Sequence, residues 1–169
     1  MELNHFTYRK ASLKDKEQLM ALGMLSYSPY QHILEPEHFA TLYANLHNEE
    51  KLIELIGMST CFVCQDNDRI VGMAYFISRG HPWDIFKSEW SYIRMVGVDP
   101  HYQGLGIAKT LTKMCLDLAV RTNEHTVALH TSEFMNAARH IYESLGFKQV
   151  QQLPLRLGKV YWLYTLDLH

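Results

Sequence analysis

No stretch of this sequence approaches the ~20 consecutive apolar residues that a membrane-spanning helix requires. Charge of neither sign is in excess: lysine and arginine total 16 against 18 aspartates and glutamates, a formal charge of −2. That balance offers no basic surface, so neither a nucleic acid nor a membrane is expected as a partner. The first residues, MELNHFTYRKASLKDKEQ, are charged throughout and lack the apolar centre of a secretory signal. Cysteine is scarce, at three residues. Cys61 and Cys64 form a C-x-x-C, but TCFVCQ reads as a strand, where a separation of three puts them on opposite faces. They then share neither a metal nor a bond. Cys115 falls on the apolar stripe of a helix, and all three read as structural. The ten histidines show no H-E-x-x-H or similar spacing, so no metal is expected. A cytoplasmic protein is the default expectation.

What is present is ordinary globular composition, 47% hydrophobic and 20% charged. Residues 1–169 read as a single domain, without repeat, linker or low-complexity segment. Thr7–Lys10 suggests a short strand, and Ser12 with Asp15 a capping box opening a helix that SYSPY breaks. A second helical region starts at Pro36, restarts after HNEE and stops at Gly57. TCFVCQ and RIVGMAYFIS flank DND as a hairpin. SEWSYIRMVGVDP reads as a strand ended by Pro100, with Tyr92, Arg94, Val96 and Val98 on one face unless a bulge intervenes. A helix from about Leu105 to Thr122 has its apolar face at Ala108, Leu111, Cys115 and Leu118. HTVALHT is a buried strand. A helix over Phe134–Leu145 ends at Gly146, capped by Phe147. Strands at Lys148–Gln152 and Val160–Leu168 close the chain. The order β-α-α-β-β-β-α-β-α-β-β implies an α/β sandwich with a mixed, mostly antiparallel central sheet.

One junction stands out. Gly104 and Gly106 precede the helix around Leu111, and no side chain there can cap its free N–H groups. Glycines let a ligand reach the backbone, and an anion suits the positive end of a helix. Lys109 adds charge nearby. A plain tight turn is the alternative. The spacing fits neither a P-loop, G-x-x-x-x-G-K-[ST], nor a dinucleotide fingerprint, whose third glycine would fall where Lys109 stands.

Gln103-Gly104-Leu105-Gly106-Ile107-Ala108 resembles the Q/R-x-x-G-x-G/A signature of the GNAT superfamily of acyl-CoA-dependent N-acyltransferases. Val96-Gly97-Val98-Asp99-Pro100 resembles the family's fourth strand, and Ile141 to Phe147 its Y-E-x-x-G-F helix ending. The resemblance covers nearly the whole chain. It implies a GNAT-like fold, with acetyl-CoA as co-substrate held by Val96, Gly97, Val98 and Gln103 through Lys109. The family often has an asparagine seven residues before the helix tyrosine. Met135 stands there, with Asn136 one later, a turn of ~100° on a helix. Asn136 is carried over as a cofactor contact, as is Tyr142.

The implied chemistry is transfer of an acetyl group from a thioester to a primary amine, on a small molecule or a protein. The Val98 N–H would polarise the carbonyl. Tyr142 would protonate the departing thiolate, since a phenol at ~10 stays protonated until a thiolate needs it; a packed core tyrosine is the alternative. His130 is a candidate base or a hydrogen-bonded structural histidine. Acceptor walls are implied at Ser28–Tyr30, His81–Asp84 and Leu153–Gly158. Tyr30, Trp83, Asp84 and Tyr92 are the candidate contacts, or else residues packed on the sheet. A monomer or homodimer is expected. A non-catalytic acyl-CoA sensor or interaction module on the same fold is the competing function.

Overall fold

The computed structural model describes residues 5–169. Seven strands form one sheet: β1 (Phe6–Lys10), β2 (Thr60–Asp66), β3 (Arg69–Ile77), β4 (Ser91–Val98), β5 (Thr126–Ser132), β6 (Lys148–Arg156) and β7 (Lys159–Asp167). Their spatial order is β1-β2-β3-β4-β5-β7-β6. Every neighbouring pair is antiparallel except β4 and β5. Helices α1 (Lys16–Tyr27), α2 (Pro36–Leu46) and α3 (Glu49–Met58) precede β2, α4 (Ile107–Arg121) links β4 to β5, and α5 (Asn136–Ser144) links β5 to β6.

Two cores follow from the period-two alternation of the strands. Met73, Tyr75, Ile77 and Tyr92 pack with Leu19, Leu22, Leu52 and Leu55 on one face. Ala74, Phe76, Ile93, Val127 and Leu129 pack with Leu111, Cys115 and Tyr142 on the other. Cys61 lies in the first core and Cys64 in the second, and the three cysteines are free and buried.

The element order departs from expectation at one point. The second helical region is two helices, because Asn48 breaks the run and caps α3 by accepting from the Lys51 N–H at 3.1 Å. The buried stripe of α4 is Ile107, Leu111, Thr112, Cys115 and Ala119, rotated slightly from the expected one. Thr112 can be buried because its hydroxyl donates to the Ala108 carbonyl at 2.7 Å. Strand β6 runs on to Arg156 through Pro154, which is tolerated because β6 is an edge strand. It turns into β7 at Leu157 and Gly158, both at positive φ, as a two-residue hairpin requires.

Strand β4 carries the feature that positions the site. Its register with β3 slips, so that Arg94 faces Tyr75 but Gly97 faces Met73. Met95 takes φ +50°. This bulge changes the parity of the strand. Tyr92 and Met95 join the α1–α3 core, while Val96 and Val98 join the α4 core. Of the two expectations for this strand the bulged one holds: Tyr92 does not share a face with Val96 and Val98.

Candidate active site

The β4–α4 corner is built around a buried carboxylate. Asp99 is 1% exposed and accepts from the His101 N–H at 2.9 Å and from Arg69 at 2.7 Å. Its own N–H donates to the Val71 carbonyl at 2.9 Å. Gly72 of β3 lets the start of α4 sit directly on the sheet: a Cβ there would lie 2.5 Å from Ile107 Cγ2 and 3.1 Å from Leu111 Cδ1. The turn then reaches α4 through Gly104 at φ +77° and Gly106 at φ +81°. Gly106 is the N-cap and supplies no capping side chain. Among the described residues, no backbone N–H from Gln103 to Lys109 finds a backbone acceptor. Nothing lies within 4 Å of a Cβ placed on Gly104 or Gly106. Unpaired donors at the positive end of a helix, facing open space, suit the diphosphate of coenzyme A.

Strands β4 and β5 part next to this turn. They pair only at Ser91 with Val127 and Tyr92 with Ala128, so Ile93 to Val98 has no strand partner on the β5 side. Amide direction alternates along a strand. The Asp99 N–H points to β3, so the Val98 N–H points the other way, into the gap. A cleft of about 820 Å³ passes through this opening, and Val96, Leu129, His130, Met135 and Tyr142 line it.

Tyr142 is buried and meets Phe147 edge-on, ring centroids 5.9 Å apart. Burial pushes its phenol well above the usual range, with the Tyr30 phenol reinforcing it. It keeps its proton throughout the neutral range. The expected cap of α5 is present: the Phe147 N–H donates to the Tyr142 carbonyl at 3.0 Å, which fixes the tyrosine on its last turn. Asn136, in contrast, is exposed at the first residue of α5, and Met135 is the side chain in the cleft. The offset of one position moves the asparagine out of the cleft.

His130 lies on the α1–α3 side of β5. Its ring stacks on Phe86 at 5.8 Å and meets Tyr161 edge-on at 5.6 Å. Half-buried at the residue level, it has its ring enclosed by these aromatics. Desolvation, then the Arg156 charge, lowers its pKa to about 4, against a partial opposing effect of Asp84. The imidazole is therefore neutral at pH 7.

The three acceptor-side segments do converge. Tyr30, His81, Trp83, Arg156 and Leu157 all line the cleft. Asp84 is committed to Arg156, Nη1 to Oδ2 at 2.6 Å, which holds its carboxyl below the usual range. Tyr92 is fully buried and donates to the His81 carbonyl at 2.8 Å while stacking on Phe86 at 4.4 Å. It braces the His81–Phe86 loop and has no surface left for an acceptor, a correction to its expected role. Tyr27, Arg94, Arg156 and Tyr161 also line the cleft and were not singled out as contacts. Arg94 had a signal: it is the one charged residue in the otherwise neutral run SYIRMVGV.

A splayed parallel pair, a glycine turn of free amides and a tyrosine in the gap meet at one opening. The acetyltransferase (GNAT) family model matches residues 26–147, and the chain belongs to that family. N-alpha-acetyltransferase 30 of Schizosaccharomyces pombe is 33% identical over 92 residues, 54% of this chain and 59% of the relative. N-acetylaspartate synthetase of Danio rerio is 41% identical over 58 residues, 34% of this chain and 21% of the relative. The chain thus spans between about a fifth and three fifths of these curated relatives' length. The PaiA N-acetyltransferase of Thermoplasma acidophilum in complex with coenzyme A has the same fold, with a TM-score of 0.79 at 15% identity, covering 96% of this chain and 99% of that one. Among the described residues no helix is long and apolar enough to cross a membrane.

Proposed function

We propose that the protein is an N-acetyltransferase that moves an acetyl group from acetyl-CoA to a primary amine. The observation that carries this reading is the meeting of three features at one opening: the unpaired amides before α4, the gap between β4 and β5, and the Tyr142 side chain. Family membership supports it. Acetyl-CoA would supply the activated acyl group.

Each residue has a role that its surroundings suit. The amides of Gln103–Lys109 hold the diphosphate, with Lys109 adding charge. Val96 to Val98 offer the strand edge facing β5, and the Val98 N–H polarises the acyl carbonyl. Tyr142 delivers a proton to the thiolate as it leaves. His130, neutral at pH 7, accepts a hydrogen bond from the incoming amine N–H and so orients its lone pair. Tyr30 and Trp83 wall the acceptor side. Domain extent across residues 1–169 is part of the same proposal.

The test is release of free thiol from acetyl-CoA with a panel of small amines and of peptides with free N-termini. Turnover with any primary amine supports the reading. Tight coenzyme A binding with no turnover on either arm overturns it in favour of a binding module.

A further inference from the structure

The acceptor half of the cleft contains a cation with no anion of its own. Arg94 projects from β4 beside the bulge and lines the cleft with Trp83, His130 and Tyr161. The ion pairs among the described residues do not include it. Arg156, the other arginine at this end, is paired with Asp84 at 2.6 Å. Glu54 on α3 also lines the cleft, but beyond ion-pairing reach. Desolvation costs Arg94 part of its charged-state stability, and Tyr92, Tyr27, Glu54 and Asp84 offset this only through space.

The surroundings hold this guanidinium in place. Its carbon lies 3.6 Å from the centre of the Trp83 ring, a cation–π stack that favours arginine over lysine. Trp83 is itself fixed. Its N–H donates to the Phe86 carbonyl at 3.2 Å and its carbonyl accepts from the Phe86 N–H at 2.8 Å. Phe86 in turn stacks on Tyr92 and His130. A half-buried guanidinium, stacked on one face and unpaired, presents its donor edge to whatever enters the cleft. A planar fork of N–H donors matches a carboxylate in bidentate fashion.

We propose that Arg94 is the specificity residue of this site and binds a carboxylate carried by the amine acceptor. This rests on the acetyltransferase reading above and names the acceptor's class: an amine bearing an acidic group. A purely cationic amine would meet Arg94 and Arg156 with no counter-charge beyond the already paired Asp84 and the more distant Glu54. A carboxylate on the acceptor supplies the missing partner and draws the amine toward His130. The shared chemistry has two sources, a free amino acid or an acidic side chain near a peptide N-terminus.

The experiment compares matched ligands on the full chain loaded with coenzyme A. One arm uses free amino acids against their C-terminal amides. The other uses amidated peptides differing only by Asp against Asn at the second residue. Binding is read by calorimetry and turnover by thiol release from acetyl-CoA. In the parent, the carboxylate form of at least one pair should bind about ten- to a hundredfold more tightly than its amide, and the responding arm identifies the source. Arg94→Met should bring that ratio to about one by raising KM, with kcat changed less, and Arg94→Lys should restore it in part. Coenzyme A affinity and melting temperature report that the variants are folded. Equal binding of carboxylate and amide by the parent, no binding of either, or a ratio untouched in Arg94→Met, overturns the proposal. Discrimination in binding without turnover upholds Arg94 and overturns the transferase reading; turnover without discrimination does the reverse.

Discussion

Replacing Gly106 asks whether the turn before α4 holds the anion, and the local geometry separates strain from blockade. Gly106 sits at φ +81°, and no atom lies within 4 Å of where a Cβ would project. A side chain there meets no packing clash, so the cost to stability is the left-handed backbone alone, ~1–2 kcal/mol for an ordinary residue. In a chain of this size 1 kcal/mol moves Tm by about 2–4 °C, so Gly106→Val should melt about 2–8 °C below the parent. Asparagine visits this region readily, and Gly106→Asn should melt within about 2 °C. Both variants place new atoms in the open space through which, on the proposed reading, a diphosphate would reach the amides of Ile107–Lys109. A hydrogen bond to a charged group is worth ~1.5–3 kcal/mol. Loss of one such bond weakens coenzyme A binding about 10- to 150-fold. Calorimetric titration with coenzyme A, beside thermal denaturation, reads both quantities. A Gly106→Asn protein that melts like the parent and keeps the parent's Kd would refute the assignment of the diphosphate to these amides.

Tyr142→Phe removes the hydroxyl and keeps the packing on Phe147. Turnover should fall about a hundredfold or more, as general-acid help of ~10²–10⁴ implies, with coenzyme A affinity unchanged; unaltered turnover makes Tyr142 a packing residue. Gly72→Ala pushes a Cβ to 2.5 Å from Ile107 Cγ2, an overpacking cost of ~1–3 kcal/mol that should lower Tm and coenzyme A affinity together; a lowered Tm with the parent's affinity would uncouple the α4 seat from the site. His130 has a folded pKa of about 4, below its ordinary ~6.5, so the unfolded chain binds the extra proton in that window. Its contribution is fully present above ~6.5 and is lost as pH falls toward 4, on the order of 2–3 kcal/mol in all. Urea unfolding at pH 7 and pH 4.5 should show a steeper loss for the parent than for His130→Gln, and identical losses would place the ring in solvent.

The sheet and its helices were legible because their signals are local. Pro36 opens α2, the Asn67 turn joins β2 to β3, and the spacing of Ala108, Leu111, Cys115 and Leu118 gives the buried side of α4 to within one residue of the observed stripe, which runs through Ile107, Leu111, Cys115 and Ala119. The glycine turn was legible as well, since unpaired amides follow from the lack of any capping side chain near Gly106. Parity along β4 was not legible. Whether Val96 shares a face with Tyr92 depends on a bulge at Met95, and nothing in YIRMVG distinguishes a bulged strand from a straight one. The charge state of His130 was hidden for another reason. It is set by Phe86, Tyr161 and Arg156, which come from distant parts of the chain, and desolvation by such neighbours has no sequence period. Tyr92 looked like an acceptor contact because an aromatic residue on a strand reads alike whether its hydroxyl meets a ligand or a loop carbonyl.

The protonation states around the cleft limit how an amine can be made ready. Burial raises the phenols of Tyr27, Tyr30, Tyr142 and Tyr161, and burial with a neighbouring arginine lowers the imidazole of His130. Each of these groups is neutral near pH 7. None is poised to take a proton from an α-ammonium group, whose ordinary pKa of ~7.7–8.0 lies well above that of His130. The task then shifts to the amine itself. Desolvation between Tyr30, Tyr161 and Trp83, with Arg94 and Arg156 nearby, penalises a positive charge on the acceptor nitrogen. On the proposed reading, an amine entering this half of the cleft is driven toward its neutral form, its proton passing to water as it enters. The same field that disfavours the ammonium favours a carboxylate. On the proposed reading, Arg94 thereby selects the acidic end of the acceptor, and the same surroundings ready the other end for attack.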